Sequence, residues 1–431
     1  MSRVGHSTEM SVAETIAVGS ELLVGGRSDG NSLVIAEALG TLGIDLRFKS
    51  VVGDDRADIV QALRTAMARA GTVIVTGGLG PTVDDCTRQA VAATTGRRLS
   101  RSKEALEGMK ARLAQWGRVP NAGQLKQALI PSGATVLTNP IGSAPGFWLP
   151  WKGTTVVCLP GVPLEMEAML RESVIPLLSS RLDRAGRPRP RPITRLVFHT
   201  WGLAEADVDA KLAGLLPRGA PLDLGLLASP NGVLVSLTTN RRSRVSDGLL
   251  ESLAGEVRAR LKDWLFAEGR ESMEEVVGRL LMEQQRTIAL AESCTGGLIG
   301  HRLTQVPGSS AYLDRAVICY SNLAKRELLG VPSELIDRHG AVSAEVAAAM
   351  SRGIRERSGV SIGLSVTGIA GPSGGTATKP VGLVYIGLDT EDGEASTKEH
   401  RFHGDRSVIK QRSSQAALDL LRRWLMKKSR A

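Results

Sequence analysis

The stretch Val73-Ile-Val-Thr-Gly-Gly-Leu-Gly-Pro-Thr-Val-Asp-Asp-Cys-Thr87 decides the fold class of the first part of this chain. Its β-branched start predicts a buried strand over Thr72–Thr76. The glycines that follow allow the backbone to approach a ligand closely, and Pro81-Thr82 predicts a helix start that carries Asp84 and Asp85 in its first turn. A strand, a glycine-rich turn and a helix in this order are typical of an α/β domain that binds an anion at a helix N-terminus.

The segments on either side of this stretch alternate between strand and helix patterns. The predicted strands are Thr15–Val18 and Trp151–Leu159, and the predicted helices are Ser32–Leu42, Asp55–Ala70 and Leu164–Leu178. This alternation predicts a parallel or mixed sheet with helices on both faces. The glycine-rich stretch is neither a Walker loop nor a dinucleotide-binding fingerprint, because no GK[ST] follows it and its glycines are not spaced as GxGxxG.

Two interpretations of Asp84 and Asp85 are open from the sequence. The carboxylates complement the dipole of a helix start, or they hold a divalent metal ion against a diphosphate, since hard cations prefer carboxylate oxygen. Glu21 is a third candidate ligand because it follows the first predicted strand, and open α/β sheets bind ligands at the carboxyl ends of their strands. The second interpretation predicts that the diphosphate is bound by Gly77, Gly78, Gly80 and Thr82.

The composition excludes several classes of protein. The chain has 431 residues, of which 42% are hydrophobic and 23% charged, as expected for a folded protein of about three domains. No apolar stretch approaches the ~18 residues of a membrane span, and no signal peptide is recognisable. Aromatic residues make up only 3%, which argues against a surface that stacks nucleic-acid bases. Four cysteines without a metal-ligand pattern or a signal peptide predict a cytoplasmic protein: Cys86, Cys158, Cys294 and Cys319.

The positive charge of the chain is concentrated around one segment. The formal net charge is +10, yet residues 271–431 hold 21 Lys or Arg against 18 Asp or Glu. Much of the excess lies between Arg181 and Arg195, around Arg187-Pro-Arg-Pro-Arg-Pro192, whose prolines prevent a helix and favour an extended linker. We prefer a solvated linker to a DNA-binding arm. The predicted domains are residues 1–180, a linker with a small middle domain over 181–268, and residues 269–431.

The middle and third domains have different element orders. In the middle domain the pattern is strand, helix, two strands around a Pro230-Asn-Gly turn, and helix, which predicts a small two-layer α+β module that acts as a spacer: Ile193–His199, Ala204–Leu215, Pro221–Thr239 and Ser246–Phe266. The third domain is predicted as a three-layer α/β fold. Its predicted strands are Thr287–Ala291, Ala316–Tyr320, Val360–Thr367, Gly382–Leu388 and Thr397–Phe402. Its predicted helices are Ser272–Gln285, one that ends near Gln305, Leu323–Leu329, Ser343–Arg357 and Ser407–Leu425.

The segment Ala291-Glu-Ser-Cys-Thr-Gly-Gly297 is the main candidate for catalysis in the third domain. It follows a predicted strand and opens a helix, which exposes the Ser293 hydroxyl beside N–H groups that can stabilise an oxyanion. From the residues alone, Ser293 or Thr295 is equally well interpreted as the cap of that helix.

Spaced motifs over residues 13–180 resemble the N-terminal domain of the CinA family. They are Gly19-Ser-Glu-Leu-Leu-Val-Gly25, Asp29-Gly-Asn31, the run from Thr76 to Asp85, Asn139-Pro-Ile-Gly-Ser-Ala-Pro-Gly146 and Leu159-Pro-Gly-Val-Pro-Leu-Glu-Met166. The resemblance implies a molybdopterin-binding (MoCF-type) fold with a metal-dependent ADP-ribose pyrophosphatase activity. It also places Asn31, Gly142 and Ser143 among the nucleotide-binding residues.

Residues 272–426 resemble the C-terminal domain of the same family. The motifs are the run from Ala291 to Gly297, Val306-Pro-Gly-Ser-Ser310, Tyr320-Ser-Asn-Leu-Ala-Lys325, Gly340-Ala-Val-Ser343, the run from Val366 to Thr376, and Lys379-Pro-Val-Gly382. The resemblance implies a nicotinamide-nucleotide amidase with Ser293 as nucleophile. The substrate-binding residues that it implies are Cys294, Thr295, Gly296, Gly297, Thr367, Gly368, Gly371, Gly374 and Arg406.

A serine nucleophile needs a base, and Lys325 is the better candidate than any histidine. The nearby histidines lie in no pattern typical of a Ser-His-Asp site: His301, His339, His400 and His403. A lysine acts as a base only if burial or a neighbouring charge lowers its pKa. Tyr320 is predicted to relay or orient the proton. A lysine at the surface and a tyrosine in the core are the alternatives.

The resemblance predicts a cytoplasmic, homodimeric enzyme of pyridine-nucleotide salvage. Its third domain would hydrolyse nicotinamide mononucleotide (NMN) without a cofactor, and its first domain would cleave ADP-ribose to AMP and ribose 5-phosphate with a divalent metal ion. Neither a membrane nor a nucleic-acid partner is expected. Two alternatives stay open: the first domain is a non-catalytic nucleotide-binding or molybdopterin-like module, or the chain is an accessory protein of DNA uptake.

Overall fold

The computed structural model describes residues 11–184, 191–216, 219–220, 222–239 and 247–429. The chain divides into two compact units, residues 1–194 with 240–243, and residues 195–239 with 244–431. Most of the predicted Arg/Pro linker, residues 187–190, lies outside the described residues, so its extended conformation stays a prediction. Within the described ranges no helix is both long enough and apolar enough to cross a membrane.

The first unit is built on a six-stranded mixed sheet. Its strands are β1 (Val12–Val18), β2 (Asp45–Val52), β3 (Thr72–Thr76), β6 (Thr135–Leu137), β7 (Gly146–Trp151) and β8 (Thr154–Leu159), in the order β2-β1-β3-β8-β7-β6, and the short strands β4 (Leu99–Arg101) and β5 (Leu129–Pro131) pair separately. Strands β2, β1, β3 and β8 are parallel to one another, and β7 pairs antiparallel with both of its neighbours, β8 and β6. The mixed α/β fold class is thereby confirmed.

Helices cover both faces of this sheet. They are α1 (Asn31–Thr41), α2 (Arg56–Arg69), α3 (Thr87–Thr95), α4 (Lys103–Gln115), α5 (Ala122–Lys126), α6 (Pro163–Met169) and α7 (Ile175–Arg184). Alternate residues of β3 point to opposite faces, so Val73 and Val75 pack with α2 and α3, whereas Ile74 packs with α1, α6 and α7.

Three local predictions in the first unit are wrong. Trp151–Leu159 is not one strand, because Lys152, at a φ of 44°, and Gly153 turn the chain between β7 and β8. The helix predicted to end near Leu178 continues to Arg184, because a π-helical segment, Leu170–Val174, accommodates Pro176.

The third correction concerns the glycine-rich stretch, in which helix α3 begins at Thr87 and not at Pro81. The backbone N–H and the hydroxyl of Thr82 both donate to the carboxylate of Asp85, which closes a loop before the helix. Asp84 and Asp85 therefore lie in this loop and not in a first helical turn.

The second unit begins with a four-stranded antiparallel sheet, in the order β10-β11-β9-β12, covered by two helices. Its elements are β9 (Arg195–Thr200), α8 (Glu205–Leu212), β10 (Leu222–Ser229), β11 (Gly232–Thr239), α9 (Asp247–Leu261) and β12 (Leu265–Glu268). The predicted turn at Pro230-Asn-Gly joins β10 to β11. The predicted last helix is too long, because the positive φ of 36° at Lys262 ends it and β12 follows.

The rest of the second unit contains a five-stranded sheet between two helical layers. Its strands are β13 (Ile288–Glu292), β14 (Leu313–Ile318), β15 (Ile362–Gly368), β16 (Leu383–Thr390) and β17 (Ala395–Arg401), in the order β14-β13-β15-β16-β17. Helices α10 (Met273–Glu283), α11 (Leu298–Thr304) and α15 (Arg406–Ser429) pack on one face. Helices α12 (Asn322–Leu329), α13 (Ser333–His339) and α14 (Ala344–Ser358) pack on the other. Among the helices and strands described here for the third domain, α13 alone has no counterpart in the predicted elements.

Strands β14, β13 and β15 are parallel, so their carboxyl ends meet at one edge of the sheet. The motifs around Ser293, Tyr320 and Thr367 each begin where one of these strands ends. The topology therefore brings together three segments that are far apart in the sequence, as expected for an open α/β sheet.

Candidate active site

Ser293 lies in a tight turn between β13 and α11. Its N–H donates to the carbonyl of Val366 on β15 (2.9 Å), and the N–H of Gly296 donates back to the carbonyl of Ser293 (3.1 Å). Gly296 and Gly297 have φ values of 60° and 90°, a region that favours glycine, and helix α11 begins at the next residue. The sequence AESCTGG thus folds as the predicted strand–turn–helix, with Ser293 largely buried at the end of the strand.

Glu292 fixes the shape of this turn. Its carboxylate is fully buried and accepts three backbone hydrogen bonds, from Gly297 (3.0 Å), Ile299 (3.1 Å) and Gly300 (2.8 Å). A carboxylate satisfies these otherwise unpaired N–H groups and complements the positive end of the helix dipole. Glu292 is not among the residues predicted from the sequence. The available signal was a glutamate that ends an apolar strand directly before a Gly-Gly helix start.

Lys325 approaches Ser293 from helix α12. Its Nζ lies 3.1 Å from the Oγ of Ser293 and also donates to the carbonyls of Cys319 (2.9 Å) and Tyr320 (3.3 Å). The side chain is 1% exposed, and it forms no ion pair with a carboxylate in the described parts of the chain. Burial lowers the pKa of Lys325, since desolvation disfavours the ammonium form. A neutral amine at this position can accept the proton of the serine hydroxyl.

The backbone beside Ser293 offers hydrogen-bond donors for a developing negative charge. Within the described residues, the N–H groups of Cys294 and Thr295 donate to no acceptor of another residue. The thiol of Cys294 is a poor competing nucleophile because burial raises its pKa to about 12. The Oγ1 of Thr295 is buried without a hydrogen-bond partner in this part of the structure.

Tyr320 and Arg406 contact each other at the open side of the site. Arg406 donates hydrogen bonds to the hydroxyl of Tyr320 and to the carbonyl of Gly371, each with a donor–acceptor distance of 2.8 Å. Lys325 contacts the carbonyl of Tyr320, whereas the Tyr320 hydroxyl, on a side chain that is 57% exposed, contacts Arg406. The geometry therefore favours an orienting role of Tyr320 over the predicted proton relay.

The glycine-containing loop after β15 forms the opposite side of the site. Thr367 is buried, and its hydroxyl donates to the carbonyl of Ala341 (2.8 Å). A side chain at Gly368 would collide with the backbone and side chain of the neighbouring strand β16. Gly371 and Gly374 follow in the loop that Arg406 holds. Thr367, one of the predicted substrate-binding residues, thus links the end of β15 to the connection between α13 and α14.

In the first unit a buried arginine joins two of the predicted loops. Arg88 donates to the carbonyls of Leu79 (2.9 Å) and Pro145 (3.4 Å) and is 3% exposed. Burial lowers its pKa to about 10, and its Nε has no partner in the described structure. The glycine-rich loop and the loop of residues 139–146 are thereby held together. Arg88 is not among the residues predicted from the sequence.

Other predicted nucleotide-binding residues of the first unit hold the loops in place. Asn31 donates to the carbonyl of Gly161 (2.9 Å), and Ser143 donates to the side chain of Gln127 (3.4 Å). Gly142 packs so closely against the carboxylate of Glu165 that a Cβ would collide with it. Gly77 and Gly78 have positive φ values, and Gly80 faces the Asp85 carboxylate.

The predicted metal ligands do not form a ligand set. Glu21 is exposed in a short 3-10 helix, Ser20–Leu22, and the carboxylate of Asp85 is bonded to Thr82. Across the described ranges, no group of three or more His, Cys, Asp or Glu side chains is placed to hold a metal ion. Asp84, Asp85 and Glu21 therefore do not fit a metal site in this conformation.

Comparison with known proteins matches every domain of the chain to a family. The model "CinA C-terminal domain" matches residues 270–425, "Damage-inducible protein CinA KH domain" matches 195–267, and "Probable molybdopterin binding domain" matches 14–180. A "CinA-like protein" of Geotalea uraniireducens is 42% identical over 96% of this chain and 97% of its own length. A "CinA-like protein" of Citrifermentans bemidjiense is 43% identical over 95% and 97%. The crystal structure of "competence/damage inducible protein CihA" from Agrobacterium tumefaciens is 40% identical over 35% of this chain and 93% of that chain, with a TM-score of 0.34.

Proposed function

This chain belongs to the CinA family over nearly its whole length, and from that premise we propose that its C-terminal domain is a nicotinamide-nucleotide amidase. The reaction is hydrolysis of the carboxamide of NMN to nicotinate mononucleotide and ammonia. One observation carries the proposal: the Oγ of Ser293 lies 3.1 Å from the Nζ of a buried lysine. A serine and a lysine in such contact are typical of amide hydrolysis through an acyl-enzyme.

The proposed reaction begins when neutral Lys325 takes the hydroxyl proton of Ser293 and Oγ attacks the carboxamide carbon. The carbonyl oxygen becomes an oxyanion, which the N–H groups of Cys294 and Thr295 stabilise. The intermediate collapses as the C–N bond breaks, and protonated Lys325 gives its proton to the leaving nitrogen, which departs as ammonia. An ester of nicotinate mononucleotide remains on Ser293.

Hydrolysis of the ester by water completes the cycle, and Lys325 again transfers the proton. Lys325, again neutral, takes a proton from a water molecule that attacks the ester carbonyl, and it returns the proton to Oγ as the acid product leaves. The scheme uses only side chains and backbone of the chain, so it requires no cofactor. Glu292 has no contact with the reacting atoms in this scheme; it positions the turn.

The test is product identification with the whole protein. NMN is incubated with the enzyme in the presence of a chelator, and ammonia and nicotinate mononucleotide are measured. We expect equal amounts of the two products, with no loss on chelation. Absence of ammonia release, or release that requires an added metal ion, would contradict the proposal.

For the N-terminal domain we propose binding of a diphosphate-containing nucleotide, with ADP-ribose as the candidate substrate. Arg88 is a buried cation that donates to the carbonyls of two loops, forms no ion pair among the described residues and keeps an unpartnered Nε there, which favours an anion nearby. The divalent metal that the resemblance implies lacks a preassembled ligand set here, so we derive no catalytic step through it. Incubation with ADP-ribose, with and without Mg²⁺ or Mn²⁺, tests the proposal: AMP and ribose 5-phosphate indicate an enzyme, and binding without turnover indicates a binding module.

A further inference from the structure

A lysine outside every predicted motif lies over the nucleophile turn. Lys410 is on helix α15, four residues after Arg406, and its Nζ lies 3.5 Å from the position that a Cβ on Gly296 would occupy. The side chain is partly buried. Gly296 is the last residue of the four-residue turn that begins at Ser293, so its Cα is within about 7 Å of the Cα of Ser293.

Unlike Arg406 and Lys379, this ammonium group has no hydrogen-bond or ion-pair partner among the described residues. Arg406 is bonded to Gly371 and Tyr320, and Lys379 donates to the carbonyls of His339 and Val342. Lys410 forms no hydrogen bond and no ion pair in the described portion of the chain. The nearest buried acid on the turn, Glu292, is already bonded to three backbone N–H groups.

This arrangement is electrostatically unfavourable without a further anion. Arg406 and Lys410 are four residues apart on one helix, where like charges repel. An anionic group of a ligand would offset this repulsion and would gain a charge-assisted hydrogen bond from Lys410.

We propose that Lys410 binds the 5′-phosphate of the substrate and so makes the site select mononucleotides over nucleosides. The inference rests on the proposed amidase function and identifies a specificity residue for it. The pyridinium ring of NMN is cationic and its carboxamide reacts at Ser293, so the phosphate is the one anionic group of the substrate that suits Lys410. Arg406, which the resemblance places among the substrate-binding residues, then positions the glycine loop and Tyr320.

The first test compares substrates with and without the phosphate. Steady-state ammonia release is measured with NMN and with nicotinamide riboside for the wild type, Lys410→Met, Lys410→Arg and the control Lys398→Met, an exposed lysine of β17. We expect Lys410→Met to raise KM for NMN about tenfold or more, to change kcat less than threefold, and to leave kcat/KM for the riboside unchanged. Lys410→Arg and Lys398→Met should keep the selectivity within about threefold of wild type.

Two results would overturn the inference. One is a Lys410→Met enzyme that prefers NMN over the riboside as strongly as the wild type does. The other is an equal loss on both substrates, which would assign Lys410 to the chemistry or to folding; thermal denaturation of each variant separates these two.

A binding experiment keeps this inference separate from the proposed amidase activity. NMN is titrated calorimetrically into Ser293→Ala and into Ser293→Ala/Lys410→Met, neither of which turns it over. If the wild type releases no ammonia, the amidase proposal fails, and a tenfold weaker Kd in the double variant still supports phosphate binding at Lys410. Equal Kd values overturn the inference whatever the activity of the wild type.

Discussion

The two glycine-rich turns of this protein share a sequence pattern but differ in what the fold adds to them. Each follows a buried parallel strand and precedes a helix, at Gly77–Gly80 in the first unit and at Gly296-Gly297 in the second. In the second unit, Glu292 caps the helix directly and Lys325 reaches the turn from another helix. In the first unit, Asp85 closes a loop that delays the helix to Thr87.

The comparison teaches that such a turn becomes a candidate catalytic site only when a distant element delivers a reactive partner. At Ser293 the partner is Lys325, a buried lysine of lowered pKa that lies 32 residues away in the sequence. At Gly77–Gly80 the buried cation Arg88 holds the loops, and no comparable pair of nucleophile and base, nor a group of three metal-ligating side chains, is found in the described residues. We therefore propose catalysis at the turn around Ser293 and ligand binding at the turn around Gly77–Gly80.

Replacing Ser293, the proposed nucleophile, should have the largest effect on the difference in activity between the two turns. We expect Ser293→Ala to lower ammonia release from NMN by about a thousandfold or more, because no acyl-enzyme can form. Any turnover of ADP-ribose should be unchanged, since it takes place in the other unit. Near wild-type deamidation by this variant would eliminate Ser293 as the nucleophile.

Replacing the base should have the next largest effect. Lys325→Arg keeps the positive charge but cannot accept a proton, so we expect a loss of about a hundredfold or more in kcat. The wild-type rate should rise with pH through the lowered pKa of Lys325, because only the neutral amine is active. Initial rates of ammonia release against pH measure both effects.

The histidines supply the control for this assignment. His339→Gln and His403→Gln should stay within a few-fold of the wild-type rate. A histidine variant as inactive as Ser293→Ala, or an active Lys325→Arg enzyme, would show that the base lies elsewhere.

Glu292→Gln tests how much the shape of the turn at Ser293 contributes to activity, because it changes the turn and leaves Ser293 and Lys325 in place. The amide has one acceptor oxygen and adds an NH₂ group opposite three backbone donors, so at least one N–H loses its partner. We expect kcat to fall about 10- to 100-fold with KM for NMN nearly unchanged. Glu274→Gln is the matched control, because Glu274 pairs with Arg302 at the other end of α11; it should lower the melting temperature but keep kcat.

The smallest expected effect concerns the acids of the first unit. Asp84→Asn with Asp85→Asn should lower ADP-ribose cleavage about tenfold, if these carboxylates bind a metal ion when substrate is present, and should spare the amidase. Asp58→Asn, in the first turn of α2, serves as the control for a purely dipolar role. Unchanged turnover and metal dependence of the double variant would limit Asp84 and Asp85 to shaping the loop.

The sequence alone predicted the mixed α/β class of both units, nearly all elements of the third domain and the strand–turn–helix at Ser293. These features depend on local periodicity, on β-branched runs and on the conformational preferences of glycine, which are written in neighbouring residues. Local patterns misplaced the start of α3, because the two hydrogen bonds from Thr82 to the Asp85 carboxylate outweighed the helix-start signal.

The tertiary structure alone decided which of the candidate groups meet. The burial that lowers the pKa of Lys325, the three N–H groups that converge on Glu292, and the position of Lys410 above Gly296 all arise from the packing of β13, β15, α12 and α15. Local sequence patterns do not predict the spatial distance between elements that are remote in the chain. Electrostatic and hydrogen-bond energies depend on that distance and on the surrounding dielectric, so only the folded chain determines them.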